Sequence, residues 1–125
     1  DKRKKKLEPY TAPDSTLHLA DFIESYLSER HLNSPGSGCE LAAVMNDVAR
    51  SSEAVRDLYT RELQNELAVI ATLTTSKQPA KKRAQALLAM SALVGAIGLS
   101  RAVSDETLKA ELLNTGKTLL KALEG

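Results

Sequence analysis

Cys39 and His31 are the residues of this 125-residue sequence best suited to covalent chemistry, a thiol nucleophile with an imidazole base eight positions before it. An activated thiol also needs a third group to orient the base and donors to hold an oxyanion. Neither is visible here, so Cys39 reads as a buried structural thiol at a helix start and His31 as the end of the helix before it. His18 and His31 lack cysteines or carboxylates at a repeating ligand spacing, so no metal site is expected and His18 reads as a surface side chain. Gly116-Lys117-Thr118 imitates the end of a phosphate-binding loop, but the position of its leading glycine holds Glu111 and no strand precedes it. Lys2, Arg3, Lys4, Lys5 and Lys6 could form a phosphate-binding arm, yet consecutive like charges favour a solvated stretch over a defined site. No acid, base and nucleophile set emerges, so neither an enzyme nor a cofactor is expected.

Binding is the better prospect. Phe22, Tyr26, Met45, Tyr59, Leu63, Met90 and Val94 are bulky, aromatic or adaptable side chains distributed over several expected helices. They could simply be core. They could also line a pocket between helices, where methionine flexibility and tyrosine hydroxyls suit a small, mostly apolar ligand with one or two polar groups.

The elements that must position these residues are all helical, because no sustained alternation of apolar and polar residues appears. Pro9, Thr11, Ala12 and Pro13 make a connector, after which Asp14 or Ser15 can cap a helix from about Thr16 to Arg30 with Leu17, Ala20, Ile23 and Leu27 along one face. Asn33 to Gly38 is a turn-rich break. A short second helix follows, with Leu41, Ala42, Val44, Met45, Val48 and Ala49 covering most of its circumference, which predicts that it is enclosed. Ser51 and Ser52 cap a third helix reaching about Thr74, with Val55, Tyr59, Leu63, Leu67, Ile70 and Leu73 as its stripe. Pro79 suits the first turn of the fourth, whose Ala84 to Val103 stretch must be surrounded nearly all round. Gly95 and Gly98 inside it each cost about 1 kcal/mol relative to alanine, so close approach of another helix is expected there. Ser104 and Asp105 break and cap, and Leu108, Leu112, Leu119 and Leu123 line a fifth helix that forms an antiparallel hairpin with the fourth. The fold class expected is therefore an all-α, five-helix bundle, with residues 1–13 a basic linker and residues 14–125 one domain.

Composition narrows the partners. Hydrophobic residues at 42% and charged residues at 26% are ordinary for a globular protein, and aromatic residues at 3% leave little for base stacking. Without residues 1–6 the chain carries twelve basic against fifteen acidic side chains, a balance of −3 that does not suit phosphate neutralisation. A single cysteine excludes an intramolecular disulfide and points to the cytoplasm. The uninterrupted apolar run Ala86 to Leu99 is shorter than the roughly 20 residues a bilayer needs, so no membrane span is expected. A start without methionine, inside a charge run, is expected of a fragment of a longer protein.

One stretch carries a resemblance that periodicity does not supply. Tyr26-Leu27-Ser28, His31, Pro35-Gly36-Ser37-Gly38-Cys39, Leu41-Ala42-Ala43, Val48-Ala49-Arg50-Ser51 and Val55-Arg56 follow one another in an order that resembles the effector domain of a TetR-family transcriptional repressor. The similarity extends to the junction Ser100 to Leu108 and covers roughly residues 15 to 123. The resemblance implies a C-terminal effector-binding and dimerisation domain whose last two helices pair with their two-fold mates as a four-helix interface. It also implies that DNA is read by an N-terminal helix-turn-helix that this sequence lacks, residues 1–8 being at most the tail of a linker helix. Close-packing residues at Ala89, Ala92, Gly95, Ala96 and Leu99, with Leu108, Leu112 and Leu119, form the expected homodimer interface. The expected function is then ligand sensing by a repressor; the alternative is a structural helical adaptor that dimerises without a small-molecule ligand.

Overall fold

The computed structural model describes residues 2–27 and 40–122, and all its regular elements are helices. Six are described, where five were expected: α1 (Lys2–Thr11), α2 (Leu19–Tyr26), α3 (Glu40–Ala49), α4 (Glu53–Leu73), α5 (Pro79–Ala102) and α6 (Glu106–Ala122). The break Asn33 to Gly38, together with His31 and Cys39, lies outside the described residues.

The additional helix is α1. Pro9 lies inside it although a proline interrupts the i→i−4 ladder at a cost of about 3 kcal/mol. Helicity continues for less than a turn beyond, where the Ala12 N–H donates to the Glu8 carbonyl at 3.0 Å. Side-chain packing holds the segment: Leu7 and Tyr10 lie against the core, and the Tyr10 ring meets Phe22 edge-on at 5.3 Å. Burial raises the Tyr10 phenol above its ordinary pKa, against a hydrogen bond with Ser25 that lowers it, while the Asp21 charge adds to the rise.

The other starts follow local capping chemistry. α2 begins at Leu19, later than expected, because the Asp21 carboxylate accepts from the His18 N–H at 2.8 Å while Ser15 Oγ is engaged by the Leu17 N–H. Ser52 Oγ accepts from the Val55 N–H to open α4, Pro79 occupies the first turn of α5, and Asp105 Oδ1 accepts from the Thr107 N–H at 2.9 Å to open α6.

The centre of the molecule is α5, packed against α4, α6 and α3, while α2 lies on α6 and α1 on α4. Short connections make α4 with α5, and α5 with α6, helical hairpins. Lys82 Nζ, donating to the Thr74 carbonyl at 3.2 Å, tightens the first and places a cation at the C-terminal end of α4. Ile70 from α4, Ala86, Ala89, Leu93 and Ile97 from α5, and Leu19, Ile23 and Leu27 are fully buried in the core. Burying one such leucine or isoleucine stabilises by about 1.5–3 kcal/mol.

One packing expectation is corrected. α3 is not enclosed: Val44 and Met45 are 41% and 45% exposed. Within the single chain α5 is surrounded only in part: Leu87, Leu88 and Leu99 are exposed and a Cβ on Gly95 or Gly98 would meet nothing within 4 Å. α6 turns Leu113 and Leu120 inward, whereas Leu108 and Leu119 remain 40% and 63% exposed. By length and composition α5 is long and apolar enough to cross a membrane, and 33% of the qualifying stretch is buried inside the chain. Within the chain the close approach to a helical glycine is at Gly116, where a Cβ would stand 3.2 Å from Leu27 Cδ1.

Glu24 clasps α2 to α6, its carboxylate 2.6 Å from Lys121 Nζ and 3.4 Å from Lys117 Nζ. Hydrogen bonds from Lys121 and then Lys117, with their charges, hold the Glu24 carboxyl below its ordinary value of 4.5.

Two outcomes follow. Gly116→Ala lowers unfolding free energy by about 1 kcal/mol in urea titration despite alanine's higher helix propensity, because the new Cβ would stand 3.2 Å from Cδ1 of the fully buried Leu27. A depressed carboxylate pKa stabilises above the unfolded value and is lost as pH falls through the folded one. Thermal melts from pH 6 to pH 3 therefore show a smaller acid-induced loss for Glu24→Gln than for the wild type, and identical pH profiles would contradict the clasp.

Candidate binding site

Between α3 and the α4–α5 hairpin on which it packs, a cavity of about 300 Å³ remains. Met45 enters from α3; Tyr59, Leu63 and Leu67 line it from α4. Its α5 wall consists of Leu87, Met90, Ser91, Val94 and Gly95. The geometry follows from the helix repeat: Tyr59, Leu63 and Leu67 succeed one another by four, as do Leu87, Ser91 and Gly95, so each set lies along one face of its helix.

The cavity has a closed floor and an open rim. Leu67 and Met90 are buried at 4% and 3% exposed, whereas Met45 and Leu87 are exposed. None of the nine lining residues is charged, and the Tyr59 and Ser91 hydroxyls are the polar side-chain groups. Such a site selects an uncharged, largely apolar molecule, because a charge would lose hydration with no ionised group to receive it. Its volume lies at the small end of ligand pockets.

The structure brings together Met45, Tyr59, Leu63, Met90 and Val94 of the residues expected to line a pocket. It does not bring Phe22 and Tyr26 there. Their rings lie 5.7 Å apart in the buried core, with Phe22 against Tyr10, so they hold α1 to α2. Sequence reading missed Leu67, Leu87, Ser91 and Gly95; the four-residue steps linking the last three were the available signal.

The residues expected at a dimer interface divide into two groups. Ala89 is wholly buried in the chain's own core, and Ala92 and Ala96 are half-buried against it. Gly95, Leu99, Leu108 and Leu119 are exposed and Leu112 is half-buried. Leu88, Ser91, Gly95, Leu99 and Ala102 on α5 recur at steps of three or four, as do Leu108, Leu112, Thr115 and Leu119 on the adjacent α6. From Ala84 to Ser100 the sequence has no charged residue.

The phosphate-loop imitation at Gly116-Lys117-Thr118 lies inside α6, where Lys117 pairs with Glu24 and Thr118 Oγ1 donates to the Asn114 carbonyl at 2.9 Å. Among the described residues no three His, Cys, Asp or Glu side chains converge to hold a metal ion. The chain matches no family model, no curated protein and no solved structure.

The floor and rim differ in energetic weight. Leu67→Ala and Met90→Ala each lower unfolding free energy by about 2–4 kcal/mol in urea titration, whereas Leu87→Ala costs less than about 1 kcal/mol because that side chain is already hydrated.

Proposed function

We propose that this chain is the ligand-sensing and dimerisation domain of a TetR-like transcriptional repressor. The observation carrying the ligand reading is the uncharged cavity of about 300 Å³ beside the central helix, with Tyr59 and Ser91 as polar handles. Dimerisation is supported by the uncovered α5–α6 face, whose Leu88, Leu99, Leu108 and Leu119 are 40–63% exposed. Patches of this kind on soluble proteins mark interaction surfaces. DNA would be read by a helix-turn-helix outside these 125 residues, because the balance of −3 beyond residue 6 suits phosphate poorly.

In such a regulator the ligand acts only if it prefers the arrangement of the two subunits that binds DNA less well; equal affinity for both arrangements shifts nothing. The cavity meets the structural requirement for that preference, since three helices of different sequence position form its walls. A ligand between them exerts its binding energy on their spacing.

Thermal-shift screening with uncharged apolar compounds tests the ligand reading. A binder at about a hundred times its dissociation constant raises the melting temperature by roughly 10 °C, and Leu63→Arg abolishes the rise by placing a cation in the cavity. A panel that never shifts the wild type favours the adaptor reading. For dimerisation, the chain sediments as a dimer at tens of micromolar and Leu99→Glu or Leu119→Glu gives folded monomers. Neither Leu99 nor Leu119 lines the cavity or belongs to the core.

A further inference from the structure

Ser91 and Gly95 belong to two surfaces at once. They line the cavity, and they lie on the exposed α5 stripe with Leu88, Leu99 and Ala102. Since a helix turns 100° per residue, Leu87 and Val94 flank this stripe on the cavity side. Ala96 lies on the opposite side, toward the Gly116 position of α6. The open rim of the cavity and the uncovered α5–α6 face therefore share an edge. We propose that a second copy of this chain, docked on that face, roofs the cavity, so that an uncharged apolar ligand is enclosed only in the dimer and its binding strengthens dimerisation.

The inference rests on the ligand and dimer readings above and adds that their sites are one continuous surface. A second copy is the occupant that the face fits. Two adjacent helices of this length present an area about 30 Å long and 20 Å wide, roughly 600 Å² in projection and of the order that a stable dimer buries per partner. The face is also complementary to itself. Ser91, Gly95 and Gly98 leave a shallow groove on α5, where a Cβ at either glycine would meet nothing within 4 Å, while Leu108 and Leu119 project from α6. A two-fold contact places the leucine ridge of each copy against the groove of the other, as an isologous interface requires. No charge between Ala84 and Ser100 opposes that approach.

Roofing changes the ligand's environment. In one copy a molecule against Leu63 and Met90 still meets water along the α5 rim, where Leu87, Ser91 and Gly95 are exposed. Docking removes that water along Ser91 and Gly95, so enclosure and association assist each other. Reciprocity then follows: whatever factor the dimer adds to the affinity of one cavity, each of the two bound ligands adds to dimer affinity.

The full chain and the neutral fluorophore N-phenyl-1-naphthylamine provide the test, with its anionic 8-sulfonate as a charged counterpart of the same ring system. Sedimentation gives the dimer dissociation constant, and fluorescence titration gives probe affinity. Saturating neutral probe lowers the dimer dissociation constant by about tenfold or more, and Leu119→Glu, which leaves the cavity lining intact, weakens probe binding by the square root of that factor, about threefold, because a two-fold dimer holds two cavities. The sulfonate binds more weakly than the neutral compound. Circular dichroism verifies that the variant is folded; if it is not, dilution of the wild type through its dimer dissociation constant provides the same comparison, with apparent probe affinity falling as monomer accumulates. A wild-type chain that dimerises and binds the probe, but whose monomer binds equally well, overturns the roof and leaves both earlier readings intact. A chain that stays monomeric, or one that binds neither compound, overturns the inference together with the corresponding reading.

Discussion

Everything in this fold is arranged around the burial problem of α5. Its sequence from Ala84 to Ser100 has no charged side chain, so every face turned to water forfeits apolar burial worth about 25 cal/mol per Å². One chain solves this only in part. α4, α6 and α3 enclose the sector holding Ala86, Ala89, Met90, Leu93 and Ile97, while Leu87, Leu88 and Leu99 remain exposed. Those exposed leucines would be an aggregation hazard on an isolated monomer. The same helix therefore serves as the axis of the core, the wall of the cavity and the base of the proposed interface.

The cavity has a related origin. Protein interiors pack to crystal-like density, and a gap beside a central helix loses dispersion contacts along its lining. Here α3 packs on α4 and α5 and supplies Met45 to the rim, yet about 300 Å³ stays open beside Met90 and Leu67. A chain optimised only for stability would fill that gap with a larger side chain at Val94 or Gly95. Retaining small residues there, next to flexible methionines, is the arrangement expected of a site that accommodates a guest.

Helix identity and most helix starts were legible in the sequence because they depend on local chemistry. Ser52, Pro79 and Asp105 open α4, α5 and α6 as capping rules require. What local chemistry could not decide was which of two leucine registers on α6 faces inward. Leu108, Leu112 and Leu119 have helical spacing, and so do Leu113 and Leu120; the position of α5 and α2 selects the latter. The same limit applied to the aromatic residues. Phe22 and Tyr26 looked eligible for a pocket because Tyr10 lay in a proline-bounded stretch read as a connector, and only tertiary packing brings it onto Phe22. Met45, Tyr59, Leu63, Met90 and Val94 were accessible to sequence reasoning because each is bulky or adaptable and falls on the apolar side of its helix.

The glycines show how fold and proposed function can be separated physically. All three described helical glycines sacrifice about 1 kcal/mol of helix propensity relative to alanine, and none has a positive φ that would require glycine. At Gly116 the reason lies within the chain: Leu27 Cδ1 occupies the space a side chain would take. At Gly95 and Gly98 a Cβ meets nothing within 4 Å, so neither backbone conformation nor internal packing explains the loss. In the proposed dimer the second copy would supply the approaching surface. Gly95 also borders the cavity, so a body that seats on this glycine groove covers the cavity rim by geometry alone. On that argument the ligand site and the interface are two readings of one unfilled sector of α5.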